Sequence, residues 1–494
     1  MSMGTVFWLL TAVICLIFLV ISWRVRGDAN KSFSSYAIGS GSFNLWLIFF
    51  TQFASIMGVS NFFSHAGNAY VQGVGILAFI LGEQGSKIVF ALTLAGLIGK
   101  FTYNTLPEMI DDLIVRDKLT RAMAAVMASL IMIASVGGQA KAFGDLFEVF
   151  TGVNSAPIVI LFSLIFIVYT VFGGVYSVVW TDLFQGIMCL IFGIIFYAFM
   201  FSRVDFSFAV LQSRLADLGK AELLSFSSVS GLAALNKFLT GLVGVMIFQV
   251  YWQRCFSCRS AKDAKRSMLS SGIICLLFVF MTAFSGLIIM TYNQGLNANN
   301  AMPWFMMNVM PGWLCACIFV LVLCAGMSTA DSCLNSAAVL IVNDLIKPFR
   351  NDNDAILIRD TKIVTVIIGI VSCFCGIYAQ TILSLLSKAY SFAGAGVVPV
   401  IVIGLLWRER NEPHDMGRKN SRVTPWAARV GILAGAIISQ MKLFGDYAVI
   451  AGVAISSVLI IVISLLTANV PTEPIFLSKG DVHPLHKDHG TFHE

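Results

Sequence analysis

Ala325-Gly326-Met327-Ser328-Thr329-Ala330-Asp331-Ser332 lies inside a stretch, from about Trp313 to Ile341, otherwise dominated by Leu, Val, Ile, Cys and Ala. Such a stretch is long enough to cross a bilayer, yet hydrocarbon cannot hydrate its hydroxyls or its carboxylate. Ala325, Ser328, Thr329 and Ser332 fall at i, i+3, i+4 and i+7, so they share one helix face. Two hydroxyl oxygens, a nearby carboxylate and a small residue that admits a second backbone suit a small, hard cation. A Ser/Thr-lined helix interface is the competing reading.

The rest of the chain sets the class. Its 494 residues are 58% hydrophobic and only 12% charged, with mean hydropathy +0.85, which excludes an ordinary soluble domain. At roughly 20 apolar residues per span, thirteen helices are expected, near 5–23, 44–66, 74–99, 122–149, 155–173, 178–201, 235–256, 268–293, 313–341, 362–386, 388–407, 426–445 and 447–468. The first has neither a basic n-region nor a small-residue cleavage site, so it reads as a span and not as a signal peptide. The expected fold class is an all-α integral membrane protein.

The net charge of +6 is distributed unevenly. With the N-terminus outside, the loops expected inside carry Arg24, Arg26, Lys31, Arg254, Arg259, Lys262, Lys265, Arg266, Arg408, Arg410, Arg418, Lys419, Arg422 and Arg429 among others. The outside loops carry Arg203, Arg214, Lys220, Lys237, Lys388 and Lys442. This asymmetry is that of the positive-inside rule. The basic charge is therefore topological: the expected neighbour is cell-membrane lipid, with no nucleic-acid partner and the C-terminus cytoplasmic.

Cys255 and Cys258 form a lone CxxC, and the tail histidines His483, His486, His489 and His493 read as a solvated tail, so no zinc centre is expected. HExxH, P-loop and GxSxG patterns are missing, and neither enzyme chemistry nor an organic cofactor is expected. The longest non-membrane stretch, about Ser202 to Ala234, is too short for its own core. Any transport must then draw on an ion gradient.

Other spans carry polar groups. In the second, Gly58, Ser60 and Asn61 weaken regular helix and predict an unwound turn whose free carbonyls can bind a cation. Glu83, Gln84 and Lys87 interrupt the third span, and Gln139, Lys141 and Asp145 the fourth. Glu83–Lys87 and Lys141–Asp145 are i,i+4 pairs able to neutralise each other. An intramembrane charge is a functional candidate by default, although paired charges also serve structure.

Tyr169-Thr170-Val171-Phe172-Gly173-Gly174-Val175-Tyr176-Ser177-Val178-Val179-Trp180-Thr181-Asp182-Leu183-Phe184-Gln185-Gly186 closely resembles the signature of the sodium:solute symporter family. That family includes bacterial proline, pantothenate and sialic acid symporters and the sodium/glucose cotransporters. Met327-Ser328-Thr329-Ala330-Asp331-Ser332 resembles its cation-site helix. Tyr251-Trp252-Gln253-Arg254, with Ser260 to Arg266, resembles its seventh helix and following loop. The likeness covers about residues 35 to 410.

The resemblance implies a leucine-transporter-type core, with spans two to six and seven to eleven as inverted five-helix repeats. It divides the chain into a first span and loop (1–35), a transport core (36–410), two peripheral spans (411–468) and a cytoplasmic tail (469–494). It also implies a sodium site made by the carbonyls of Ala54, Met57 and Ala325 and the hydroxyls of Ser328 and Thr329. A second cation site would use Asp182, Ser328, Asp331 and Ser332. The chain departs from the proline carriers at Ile56, Gly241, Val245 and Gln249, and Ser135 stands where the sialic acid carriers have an arginine.

The combined expectation is a monomeric, sodium-coupled symporter that imports a small polar organic solute of amino acid, carboxylate or sugar type by alternating access. The expected solute contacts are Gln52, Ser60, Asn61, Glu83, Ser135, Gln139 and Gln249. A proton-coupled carrier using Asp182 or Asp331, and a transport-derived solute sensor, are the alternatives. The missing signalling domain speaks against the sensor.

Overall fold

The computed structural model describes residues 3–98, 101–226, 230–350, 352–379, 381–408 and 421–478; the tail histidines lie outside them. The described chain is all-helical, with only isolated bridges at Phe43–Cys258, Asp117–Leu477 and Arg408–Ser421. Nine of its helical stretches, Asn61–Thr93 counted as one, are long and apolar enough to cross a membrane, and a tenth crossing results if a pair bent by 41° counts as one. This is a multi-pass membrane architecture.

In chain order, α1 is Met3–Ala29, α2 Leu45–Ile56, α3 His65–Gln72, α4 Leu77–Thr93, α5 Lys118–Thr151 and α6 Ser155–Ser202. The bent pair is α7, Gly231–Met246, and α8, Gln249–Ser257; then come α9, Ala261–Met290, and α10, Gly312–Leu340. The last four are α11, Asp354–Tyr378, α12, Ile382–Leu406, α13, Pro425–Ile438, and α14, Ala448–Leu466.

The helix α6 has 48 residues. At 1.5 Å per residue that is about 72 Å, more than twice the hydrocarbon thickness of about 30 Å. It breaks at Gly174, where φ is 49° and ψ is −146°. A Cβ there would sit 2.7 Å from the Tyr36 carbonyl oxygen, so the signature glycine is a hinge between two limbs.

The helix α10 lies at the centre: every residue from Leu321 to Leu340 is buried. A helix buried all round must satisfy its polar face from neighbouring helices, because no water is there to do so.

Loop contacts fall into two sets. Lys362 Nζ donates to Asn30 Oδ1 at 3.0 Å, and Lys118 N donates to the Phe476 carbonyl at 2.8 Å. On the other set, Lys237 Nζ donates to Gln72 Oε1 at 3.1 Å, Asn299 Nδ2 to Asp145 Oδ2 at 3.2 Å, and Tyr70 Oη to the Asn293 carbonyl at 2.9 Å. The first set joins loops or span ends assigned to one side by the charge pattern, the second set loops or span ends assigned to the other.

Near the first set, Arg121 Nε donates to Asp344 Oδ1 at 2.7 Å and Nη1 stands 3.3 Å from Asp111 Oδ2. Burial pushes the Asp111 carboxyl above the usual carboxylate range, against the opposing pull of Arg121.

Candidate cation and solute site

Asp182, in the second limb of α6, is fully buried against α2, α8 and α10. Thr51 Oγ1 donates to its Oδ2 and Ser328 Oγ to its Oδ1, both in close hydrogen bonds, while Ser55 Oγ approaches Oδ2 at 3.5 Å. Arg254 Nη2 stands 3.6 Å from Oδ2 and donates to Ser332 Oγ at 2.8 Å. Arg254 Nε donates to Thr51 Oγ1 at 3.0 Å. The positive-inside count placed Arg254 in a cytoplasmic loop; instead it is fully buried in α8, because Asp182 supplies the charge that an exposed arginine would find in water.

Three residues of the 251–254 motif build this contact. Trp252 Nε1 donates to the Met246 carbonyl at 2.9 Å, strapping the bend between α7 and α8. Gln253 Nε2 donates to the Ala37 carbonyl at 2.5 Å, and its Oε1 accepts from Ser336 Oγ at 2.5 Å. These bonds fix α8 so that Arg254 points at the acid.

Asp331 lies one turn from Ser328 on α10, and neither of its oxygens has a hydrogen-bond partner among the described residues. The Tyr169 phenol is close enough to interact with it but directs its proton to the Met327 carbonyl at 2.9 Å. The Asn335 amide and Arg254 Nη1 are likewise buried without partners. Ser332 Oγ instead meets Ser55 Oγ at 2.8 Å.

The expected sodium positions surround the break in the second span. The α2 ladder ends when Met57 N bonds back to Phe53 and Ala54 carbonyls at 3.1 and 3.2 Å, and a wider turn follows over Ser60–Ser64. Thr329 Oγ1 lies 3.0 Å from both the Ser55 and the Ala325 carbonyl oxygens. A Cβ on Gly58 would approach that hydroxyl to 2.6 Å. Glycine is thus required for the broken helix to reach α10. Gln139 Oε1 accepts from Val59 N at 2.9 Å, and Asn61 Nδ2 donates closely to the Ile56 carbonyl, so both amides also cap the break.

Of the candidate solute residues, Glu83 and Asn61 meet through Gln84. Glu83 accepts from Gln84 Nε2 at 3.0 Å, pairs with His65 Nε2 at 3.0 Å and receives the Tyr390 hydroxyl at 3.4 Å. Gln84 Nε2 also reaches Asn61 Oδ1 at 3.3 Å. The expected Glu83–Lys87 pair does not form: Lys87 Nζ donates to Gln84 Oε1 instead, because His65 takes the carboxylate. Lys141 and Asp145 do pair, at 2.6 Å.

Gln52 is fully buried and accepts from Ser271 Oγ at 3.2 Å. Ser135 lies against the Cys333 thiol, while the side chain of Ser60 is outside the described part. Gln249 stands apart, accepting from Leu106 N at 3.0 Å and donating to the Asn104 carbonyl at 3.3 Å. Gly241 is a packing position: a Cβ there would meet Glu83 N at 2.5 Å.

The pattern of the sodium:solute symporter family matches residues 36–416. The chain belongs to that family. It is 22% identical over 370 residues to the sodium/sialic acid symporter NanT of Aliivibrio fischeri, covering 72% of each chain. It is 22% identical over 453 residues to the sodium/glucose cotransporter of Vibrio parahaemolyticus, covering 82% of this chain and 80% of the relative. The sodium/pantothenate symporter of Haemophilus influenzae is 25% identical over 408 residues, with 78% and 82% covered. The fold resembles that of a Na+-coupled sialic acid symporter solved in a substrate-bound outward-open state, with TM-score 0.78, 19% identity and 94% and 98% coverage. It also resembles Mhp1, a nucleobase-cation-symport-1 family transporter, with TM-score 0.59, 15% identity and 89% and 96% coverage. The family and these relatives are transporters, not enzymes; sodium stands in the names of the family and of the sialic acid, glucose and pantothenate carriers, and a cation in that of the Mhp1 family.

Proposed function

We propose that this protein is a sodium-driven symporter that carries a small polar organic solute into the cell by alternating access. The observation that carries the reading is the Thr329 hydroxyl, held between the Ser55 and Ala325 carbonyls opposite the Gly58 break. Hydroxyl and carbonyl oxygens at a helix break are the ligand type that a hard monovalent cation takes. Ala54, Met57, Ala325, Ser328 and Thr329 hold the ion, and Asp182, Asp331 and Ser332 border a second cation position. The solute lies beside them, near Gln52, Asn61, Glu83 and Gln139.

Thirteen passes follow when α2 joins α3, α6 counts as two limbs, and α7 joins α8. Two inverted five-helix repeats then make the core of residues 36–410, with the N-terminus outside. The two separate sets of loop contacts support this grouping of the loops on two faces, and the positive-inside count supplies the orientation. Sodium binding drives uptake by stabilising the substrate-competent state more than its alternatives. One charge crossing 100 mV supplies about 2.3 kcal/mol, roughly a fifty-fold concentration ratio.

Uptake into proteoliposomes, driven in turn by an imposed sodium and an imposed proton gradient, tests the reading. Accumulation with sodium alone is expected. Accumulation that follows the proton gradient without sodium would establish the proton-coupled alternative, and binding without accumulation the sensor.

A further inference from the structure

Lys87 is a buried cation with most of its hydrogen-bonding capacity unused. It is 1% exposed, yet among the described residues its ammonium has a single acceptor, Gln84 Oε1. An ammonium has three donors. Glu83, one turn away, gives its oxygens to His65, Gln84 and Tyr390. The face of Tyr251 lies 5.6 Å from Nζ and offers only the weaker attraction of a ring.

A second buried group points the same way. Gln52 is fully buried and its Nε2 has no partner. Its Oε1 is held by Ser271 on α9, and the next residue, Gly272, abuts Lys87, with a Cβ there only 3.2 Å from that of Lys87. Adjacent α9 residues therefore pack against both side chains, a lysine whose ammonium has one acceptor and a glutamine whose Nε2 has none. Buried donors left unmatched are costly, and a buried ammonium whose neighbouring carboxylate, Glu83, is hydrogen-bonded to other donors is incompletely compensated. A ligand that supplies oxygen lone pairs and a negative charge relieves both; a neutral polyol supplies no charge.

We propose that Lys87 and Gln52 are the anchor for an anionic group, a carboxylate, on the transported solute. The proposal rests on the symport reading above and narrows its solute class from polar to organic anion. It orients the solute with the carboxylate toward α4 and α9 and the remaining polar groups toward Asn61 and the Glu83 carboxylate. Glu83 would reject a second acidic group there by like-charge repulsion.

Purified full-length protein is tested by thermal shift and by competition for uptake in proteoliposomes. The probes are pantothenate and sialic acid, each beside its uncharged alcohol or methyl ester, and glucose. In saturating sodium, at least one carboxylate should bind at least about tenfold more tightly than its neutral analogue. Lys87→Met should abolish that preference, Lys87→Arg should keep part of it, and stabilisation by sodium without solute should persist in both. Equal affinity for carboxylate and neutral analogue, transport of glucose, an unchanged preference in Lys87→Met, or no response to either carboxylate in sodium-loaded protein overturns the proposal. Loss of sodium stabilisation in the unmutated protein would instead refute the symport reading.

Discussion

Arg254 Nη2 stands 3.6 Å from Asp182 Oδ2, and both side chains are wholly buried between helices. Removing one partner of such a pair strands a charge, at a cost of about 3–5 kcal/mol. Arg254→Leu should therefore destabilise the protein strongly. Arg254→Leu combined with Asp182→Asn should recover a substantial part of the loss. Thermal unfolding in detergent measures the coupling, and strictly additive losses would show that the pair is not an energetic unit.

Gly58 and Thr329 should control sodium affinity together. Thr329→Ala and Ser328→Ala each remove an oxygen expected to face the ion. A charge-assisted contact is worth about 1.5–3 kcal/mol, so sodium for half-maximal uptake should rise roughly 10- to 150-fold. Gly58→Ala should do the same by crowding the Thr329 hydroxyl, from which its Cβ would be only 2.6 Å. Gly85→Ala, with nothing within 4 Å of the new methyl group, serves as control. Unchanged sodium dependence in Thr329→Ala and Gly58→Ala would place the ion elsewhere.

Asp331 decides the stoichiometry. Asp182 takes the hydroxyls and Arg254 while Asp331, one turn from Ser328, has no hydrogen-bond partner among the described residues, so two buried carboxylates with a single paired arginine leave one negative charge for a cation or a proton. With a second sodium, Asp331→Asn should lower the Hill coefficient from about 2 towards about 1, while solute binding at saturating sodium survives. With a proton, the mutant should lose its pH dependence at unchanged Hill coefficient. A wild-type coefficient of about 1, insensitive to pH and to the mutation, would leave Asp331 purely structural.

Single cysteines near Arg214 and near Lys262, placed in a cysteine-depleted background, should differ in reactivity with an impermeant thiol reagent. The first should label in intact cells and the second only after lysis. Equal labelling would overturn the thirteen-pass arrangement.

The apolar spans and the break at Gly58 were legible because hydropathy and helix-weakening residues are local properties. The Ser328–Thr329 face was legible for the same reason: helical spacing alone puts those hydroxyls together. Arg254 was misread because a basic residue at the end of an apolar stretch looks like a loop charge. Only tertiary structure brings Asp182 to it. Glu83 failed similarly, since the i,i+4 rule offered Lys87 while His65, on a separate helix, is the nearer partner. Gln249 carried the right chemistry for a solute contact, but its amide serves the backbone of Asn104 and Leu106. Nothing in the spacing of Tyr390 marked it as a neighbour of Glu83.

The hinge at Gly174 bears on how the chain is made. Its two limbs meet without a loop, and Gly174 packs directly on the Tyr36 carbonyl. On the thirteen-pass reading proposed above, a nascent first limb therefore has no hydrophilic tether on which to pause, and the two limbs leave the insertion machinery together. The seam admits no epitope tag, protease site or extra residue. A split of this protein into two co-expressed halves has to be made elsewhere, in a connection that already runs through water.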